Sequence, residues 1–332
     1  MNKTFIIAEL SANHNNDINI ARKTIKAAKE TGADAIKLQT YTAYTMTIDC
    51  DNEYFQINQG TLWDGTTLYK LYQQAYTPWE WHKELFDYAH SIGIEIFSTP
   101  FDKTAVDFLS THNIPRYKIA SFEAMDYQLI SYAARLHKPM IVSVGVSTLE
   151  EIQEAIDACR AVGNDDITIL KCTSAYPAKL ENMNILTISD MKERFGTQGV
   201  KIGLSDHSMN NETVIAAIAL GAVVVEKHFI LDRALGGPDA EFSLNFDEFK
   251  TLVHTIRNTE KLLGQVNYDV DDKNRKFARS LFVTADIKKG EIFTEKNIRS
   301  IRPGDGMHPK YLQDVLGKKA DRNYHFGEPF WR

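Results

Sequence analysis

The sequence predicts a (β/α)8 barrel followed by a small β-rich domain. Three observations carry this reading. Eight short, β-branched apolar runs recur along the first 260 or so of 332 residues, and amphipathic stretches of helical period separate them. The runs are apolar enough to be covered on both faces, as strands of a parallel sheet wrapped by helices must be. Beyond about Gly264 the texture changes, giving expected bounds of 1–264 for the barrel, 265–275 for a linker and 276–332 for the small domain. A doubly wound open sheet is the structural alternative.

The strand runs, in order, are TFIIAEL from Thr4, DAIKLQT from Asp34, IEIFSTP from Ile94 and PRYKIAS from Pro115. PMIVSVG from Pro139, DITILKC from Asp166, VKIGLSD from Val200 and AVVVEKH from Ala222 complete the set. Between them INIARKTIKAAKETG, PWEWHKELFDYAHSIG and STLEEIQEAIDACRAVG have helical spacing, and each ends in Gly, the usual stop. The helix opening at Ser147 or Thr148 carries Glu150 and Glu151 in its first turn, where the helix dipole favours anions. The segment from Tyr41 to Thr77 has little period and is expected to form a lid or hairpin after the second strand. QVNYDVDDKNRK is polar and acidic, a linker by composition. After it, short strands alternate with Lys-Lys-Gly-Glu and Pro-Gly turns in a module too small to be robust alone.

Composition narrows the class. The chain is 43% hydrophobic and 25% charged, ordinary for a globular protein, with a formal net charge of −6. No long basic run offers a surface to nucleic acid. No run of about 18 apolar residues is present to span a membrane. The opening run is interrupted by Glu9 and too short for a secretory leader. Three scattered cysteines (Cys50, Cys159, Cys172) make neither a disulfide framework nor a Cys-x-x-Cys site, so a reducing cytoplasm is the expected setting.

In a barrel the chemistry sits where the strands end, and here those ends are polar. They deliver Glu9; Lys37 and Gln39; Ser98 and Thr99; Lys118, Ser121 and Glu123; Ser143; Ser174 and Tyr176; Ser205 and His207; and Glu226 and His228. Alternation puts Lys37 with Gln39, Ser205 with His207, and Glu226 with His228 on common faces. A lone strand-end histidine is more often a structural hydrogen-bonding residue. Two at matching ends of consecutive strands, His207 and His228, bring their rings together, and imidazole suits Zn, Mn, Fe or Co. Lys37 and Lys118 read either as snorkelling lysines or, with the nearby hydroxyls, as a phosphate or carboxylate cradle. Glu9 and Glu123 read as their counter-charges or as acid–base groups. No Gly-x-Gly-x-x-Gly or P-loop points to a nucleotide.

The segments IIAELSANHNND, AIKLQT, FSTPFD, YKIASFE, CTSAYPA, GLSDHS, EKHF and GGPD, then DIKKGE and RPGDG, occur in one order over nearly the whole chain. In this they resemble the sialic acid synthase family, which condenses phosphoenolpyruvate with amino-sugar aldehydes. The resemblance implies a (β/α)8 barrel followed by an antifreeze-like (SAF) domain. It implies His207 and His228 as ligands of a divalent cation (Mn, Mg or Co). Lys37, Thr99, Lys118, Ser121, Ser143 and Ser205 would bind phosphoenolpyruvate. Glu9, Glu123, Tyr176 and Asp239 would form the catalytic group, with Gln39 near the sugar and Glu123 preferred over Glu9 as base. Arg302 would reach the sugar site of a partner subunit, in a domain-swapped homodimer.

Three departures mark a branch. Gly-Pro-Asp-His becomes Gly237-Pro238-Asp239-Ala240, the usual Gly after Ser121 is Phe122, and Ser174 stands where an asparagine helps bind phosphoenolpyruvate. Together with AYTPWEWH these resemble the pseudaminate-forming branch, whose sugar is 2,4-diacetamido-2,4,6-trideoxy-L-altrose. The N-acetylneuraminate- and legionaminate-forming branches are the alternative. Ala240 and Phe122 are expected to shape the sugar pocket.

Overall fold

The computed structural model describes residues 3–331. Its eight parallel strands are β1 (Phe5–Glu9), β2 (Ala35–Thr40), β3 (Glu95–Pro100), β4 (Tyr117–Ile119), β5 (Met140–Ser143), β6 (Ile167–Cys172), β7 (Lys201–Asp206) and β8 (Val224–His228). They pair in sequence order, and β8 closes onto β1 with Phe5 opposite Val224 and Glu9 opposite His228. That last pairing excludes the open sheet. Each predicted run contains one observed strand.

The covering helices are Ile18–Thr31, His82–Ile92, Lys103–Ser110, Tyr127–Ala134, Leu149–Arg160, Thr187–Gly196, Glu212–Ala219 and Phe246–Leu263. Local chemistry fixes their ends. Asp17 caps the first by accepting from the Asn19 amide, and Gly32 stops it in the left-handed region at φ 90°. Thr148 rather than Ser147 caps Leu149–Arg160, with Glu151 completing a reciprocal capping box. The outward faces of the strands, such as Ile36 and Leu38, are fully buried beneath these helices, in one core that also takes in Ile25, Leu85 and Ile256.

The segment after β2 carries two short helices, Ala43–Met46 and Leu68–Ala75, and an antiparallel bridge between Gln56 and Thr67. It is tied down at its end, where His14 Nε2 meets the Thr77 hydroxyl at 3.2 Å and Asn16 Nδ2 donates to the Gln74 carbonyl.

By contacts the chain forms two compact units, Met1–Gly264 and Gln265–Arg332. The second has its own core, with Leu281, Val283, Phe293, Ile298, Tyr324 and Phe330 all buried. Strands β9 (Ser280–Val283) and β10 (Ile298–Ile301) pair antiparallel within it. The stretch expected as a linker contains one helical turn, Asp272–Arg275.

Candidate active site

Alternation along each strand decides which polar groups enter the barrel. On β2, Lys37 and Gln39 point inward while Ile36 and Leu38 pack outward. On β8, Glu226 and His228 point inward, and Lys227 is buried on the other face against Asp206 at 2.5 Å. Register then assembles a row, since Glu9 is opposite both Lys37 and His228 across neighbouring strands. Ser205 is opposite both Cys172 and Glu226.

The result is a buried ionic network. Lys37 Nζ lies 2.6 Å from Glu9 Oε2 and donates to the Thr99 hydroxyl at 3.0 Å. Glu226 sits between the lysines, 3.3 Å from Lys118 and 3.9 Å from Lys37, and accepts from the Ser205 hydroxyl at 3.1 Å. Gln39 donates to Glu9 at 2.9 Å and to Ser11 at 2.8 Å. Ser121 and Ser174 share a hydrogen bond of 2.8 Å, and the Ser143 hydroxyl is buried without a partner. Gly145 makes room for this hydroxyl cluster: a Cβ there would approach Ser174 Oγ to 2.3 Å and Ser121 Oγ to 2.9 Å.

Charge follows position. Burial pushes the Glu9 carboxyl up to about 7, against the pull of Lys37. Glu226 is buried as well, but Lys118 and Lys37 outweigh that and hold it below the usual carboxylate range. Burial raises Glu123 to about 7, with Lys118 opposing, and its Oε2 is buried without a partner. Burial also holds His228 well below its ordinary value, so its imidazole is neutral.

His207 and His228 stand with ring centroids 5.3 Å apart, and Tyr176 packs on His207 at 4.3 Å. His207 Nδ1 is 3.0 Å from the Thr173 carbonyl; with the proton there, Nε2 is left with a free lone pair. His228 Nδ1 is buried and unpartnered, 4.0 Å from Asp239 Oδ2. Among the described residues no group of three or more His, Cys, Asp or Glu forms a ready cage. Burial lowers His207 too, but Cys172 and the Thr173 carbonyl outweigh it and leave His207 above its ordinary value. A divalent cation held by the two imidazoles, with open positions for water and substrate, would therefore displace a proton from His207.

Two adjoining chambers occupy the barrel mouth. The narrow one is lined by Lys37, Lys118, Ser143, Ser205, Glu9 and Glu226. The wide one, a cavity of about 440 Å³, is lined largely by aromatic and apolar groups together with Glu123 and Asp239. Gln39, Ala120, Tyr176 and His228 line both.

A profile of the NeuB family matches residues 24–268, and one of the SAF domain matches residues 278–330. The first covers well over half of the chain. The chain belongs to the NeuB family. Two relatives, pseudaminic acid synthases, span nearly its whole length: that of Helicobacter pylori is 50% identical over 96% of this chain and 93% of its own. That of Campylobacter jejuni (strain 81-176) is 49% identical over 98% and 95%. The solved N-acetylneuraminic acid synthetase of Leptospira borgpetersenii superposes with a TM-score of 0.73 at 28% identity, covering 82% of this chain and 90% of that one.

Within this NeuB-family chain the structure gathers Glu9, Lys37, Gln39, Lys118, Ser121, Ser143, Tyr176, Ser205, His207 and His228 around the narrow chamber. Thr99 joins through Lys37, Ser174 through Ser121, and Glu123 and Asp239 through the wide chamber. Arg302 is exposed on the second unit. Phe122 lines the wide chamber and is 59% exposed. Ala240 does not line it: it is buried, and its neighbours Pro238 and Asp239 face the cavity instead. Sequence reasoning placed Glu226 only among the strand-end groups, on the face of His228, although it joins both lysines to Ser205. Gly145 and the insert's Trp63 were missed. Their signal, a glycine just past a strand end and an aromatic in an aperiodic loop, has no meaning without the neighbours.

Proposed function

We propose that the chain is a pseudaminic acid synthase. In this reading it condenses phosphoenolpyruvate with 2,4-diacetamido-2,4,6-trideoxy-L-altrose and water, giving pseudaminate and phosphate by C–O cleavage. The observation that carries it is the pair of chambers with a common wall. One is cationic and rich in hydroxyls, suited to a small phosphorylated carboxylate; the other is wide and largely apolar, suited to a deoxy sugar bearing acetamido groups. Relatives of about 50% identity over nearly the full chain support the choice of sugar.

Lys37 and Lys118, with Thr99, Ser121, Ser143, Ser174 and Ser205, hold the phosphate and carboxylate of phosphoenolpyruvate. Glu226 keeps both lysines in place. Gln39, Tyr176 and Asp239 set the open-chain sugar so that its aldehyde reaches the common wall beside His228. A divalent cation on His207 and His228 would polarise that carbonyl as a Lewis acid. The third carbon of phosphoenolpyruvate attacks the aldehyde carbon, and water adds to the second carbon. Glu123 takes the proton of that water, which balances the proton the new alkoxide needs. The tetrahedral adduct then expels phosphate.

Arg302 of one copy completing the sugar site of another, in a homodimer, belongs to the same proposal and rests on family resemblance. So does a reducing cytoplasmic setting, in keeping with three free cysteines. No helix among the described residues is long and apolar enough to cross a membrane.

The test is phosphate release from phosphoenolpyruvate with a panel of amino-sugar aldehydes. Turnover with the trideoxy altrose sugar and little with N-acetylmannosamine is the expected result. Comparable turnover of both, or preference for a neuraminate or legionaminate precursor, would overturn the choice of sugar.

A further inference from the structure

We propose that Trp63, carried on the segment inserted after β2, latches the sugar chamber and selects for a sugar whose outlying substituent is a methyl rather than a hydroxymethyl group. This rests on the function proposed above and deepens it.

The wall that the insert contributes is mostly apolar, including Tyr41, Tyr54, Ile57, Leu71 and Tyr72 as well as Trp63. Trp63 differs from the others in joining separate parts of the site. Its indole N–H donates to the Pro238 carbonyl at 2.9 Å, which ties the insert to the loop that carries Asp239. Its ring lies 5.6 Å from Tyr176 and 6.3 Å from Phe242, and Tyr176 in turn packs on His207. The indole is therefore one residue removed from the imidazoles and borders the cavity directly.

The turn that presents Trp63 is built for the purpose. Asp64 accepts from the Gly60 amide at 2.8 Å, the Thr61 amide at 2.9 Å and the Thr61 hydroxyl at 2.8 Å. On the flanks, Ile57 N donates to Thr66 O and Gly65 N to Ile57 O. A wall held at both its turn and its latch cannot retreat readily from a bulky or hydrated group. An extra hydroxyl set against the indole face and Phe242 would lose its water there without gaining a partner from either ring, although Gln56, Gln59 and Thr61 line the same cavity. A methyl group there gains contact. Apolar pockets of this kind discriminate by roughly 10- to 200-fold per such difference.

Wild type, Trp63→Ala, Trp63→Phe and Trp63→Gln are compared by steady-state phosphate release. The two sugars are the trideoxy diacetamido altrose and its 6-hydroxy counterpart, and phosphoenolpyruvate is varied separately. Trp63→Ala is expected to raise the sugar KM and to cut the preference for the 6-deoxy sugar, in kcat/KM, by about tenfold or more. The KM for phosphoenolpyruvate should stay within about twofold. Trp63→Phe keeps an apolar ring without the N–H, so it should raise the sugar KM while retaining the preference; Trp63→Gln should lose the preference. An unchanged preference in both Trp63→Ala and Trp63→Gln would overturn the inference. Parallel rises in both KM values would do so too, since they would indicate a general structural role. Should Trp63→Ala fail to fold, the Phe and Gln pair decides alone. If wild type turns over neither sugar, the functional reading falls first and the inference with it. If wild type prefers the 6-deoxy sugar and the variants do so equally, the inference alone fails.

Discussion

Glu9 and Glu123 show how little residue type says by itself. Both are raised to about 7 by burial, but Glu9 is held by Lys37 and Gln39, whereas Glu123 keeps a buried, unpartnered oxygen in the sugar chamber. A group free of partners is the better base for an incoming water. A carboxyl raised in this way is neutral below its folded pKa and ionised above it, so a base role makes kcat/KM rise with pH through about 7. Glu123→Gln is expected to lose at least about 100-fold in turnover while still binding phosphoenolpyruvate by calorimetry. Near-normal turnover would move the role to Glu9. Both carboxylates were legible as strand-end candidates. Glu123 was already preferred as base, but which chamber each carboxylate faces was not legible, because it depends on the folded barrel mouth.

At the scale of elements, the ends of β7 and β8 are organised on two faces at once. Inward, Ser205, Glu226, His207 and His228 line the narrow chamber. Outward, Asp206 and Lys227, each one residue before a histidine, form an ion pair with both side chains fully buried. Asp206 also accepts from the Ser208 amide and the Thr213 hydroxyl, and Lys227 donates to the Ser208 carbonyl. Breaking such a pair by removing one charge leaves the other uncompensated. Asp206→Asn is accordingly expected to cost about 3–5 kcal/mol in chemical denaturation. A loss under 1 kcal/mol would mean that the surrounding hydrogen bonds suffice. Period two made this two-faced arrangement readable in SDHS and EKHF, but the partnership of Asp206 with Lys227 required the strands to be neighbours in register.

For the molecule as a whole, the proposed homodimer makes the active site a joint product of two copies. Glu9 belongs to the barrel unit and Arg302 to the SAF unit. Inactive Glu9→Ala and Arg302→Ala chains, mixed in equal amounts and allowed to exchange, should regain up to about a quarter of wild-type phosphate release, since half of the dimers are mixed and each of these holds one intact site. No recovery despite exchange shown by mass spectrometry would count against it.

The sequence by itself determined eight strand–helix units in series, because strands and helices declare themselves by local period and by caps; closure into a barrel rather than an open sheet was decided by the pairing of β8 with β1. The sequence also determined the polar strand ends, since a barrel of this kind places functional groups there. Tertiary structure decided what spacing along a chain cannot encode. Closure of β8 on β1 brought Glu9 beside His228, and Glu226 became the hinge of the ionic network by lying between two lysines more than 80 residues apart in sequence. It also transferred the clue in GGPDA from Ala240 to its neighbours and to Trp63, 175 residues away, whose hydrogen bond to Pro238 exists only in the folded chain.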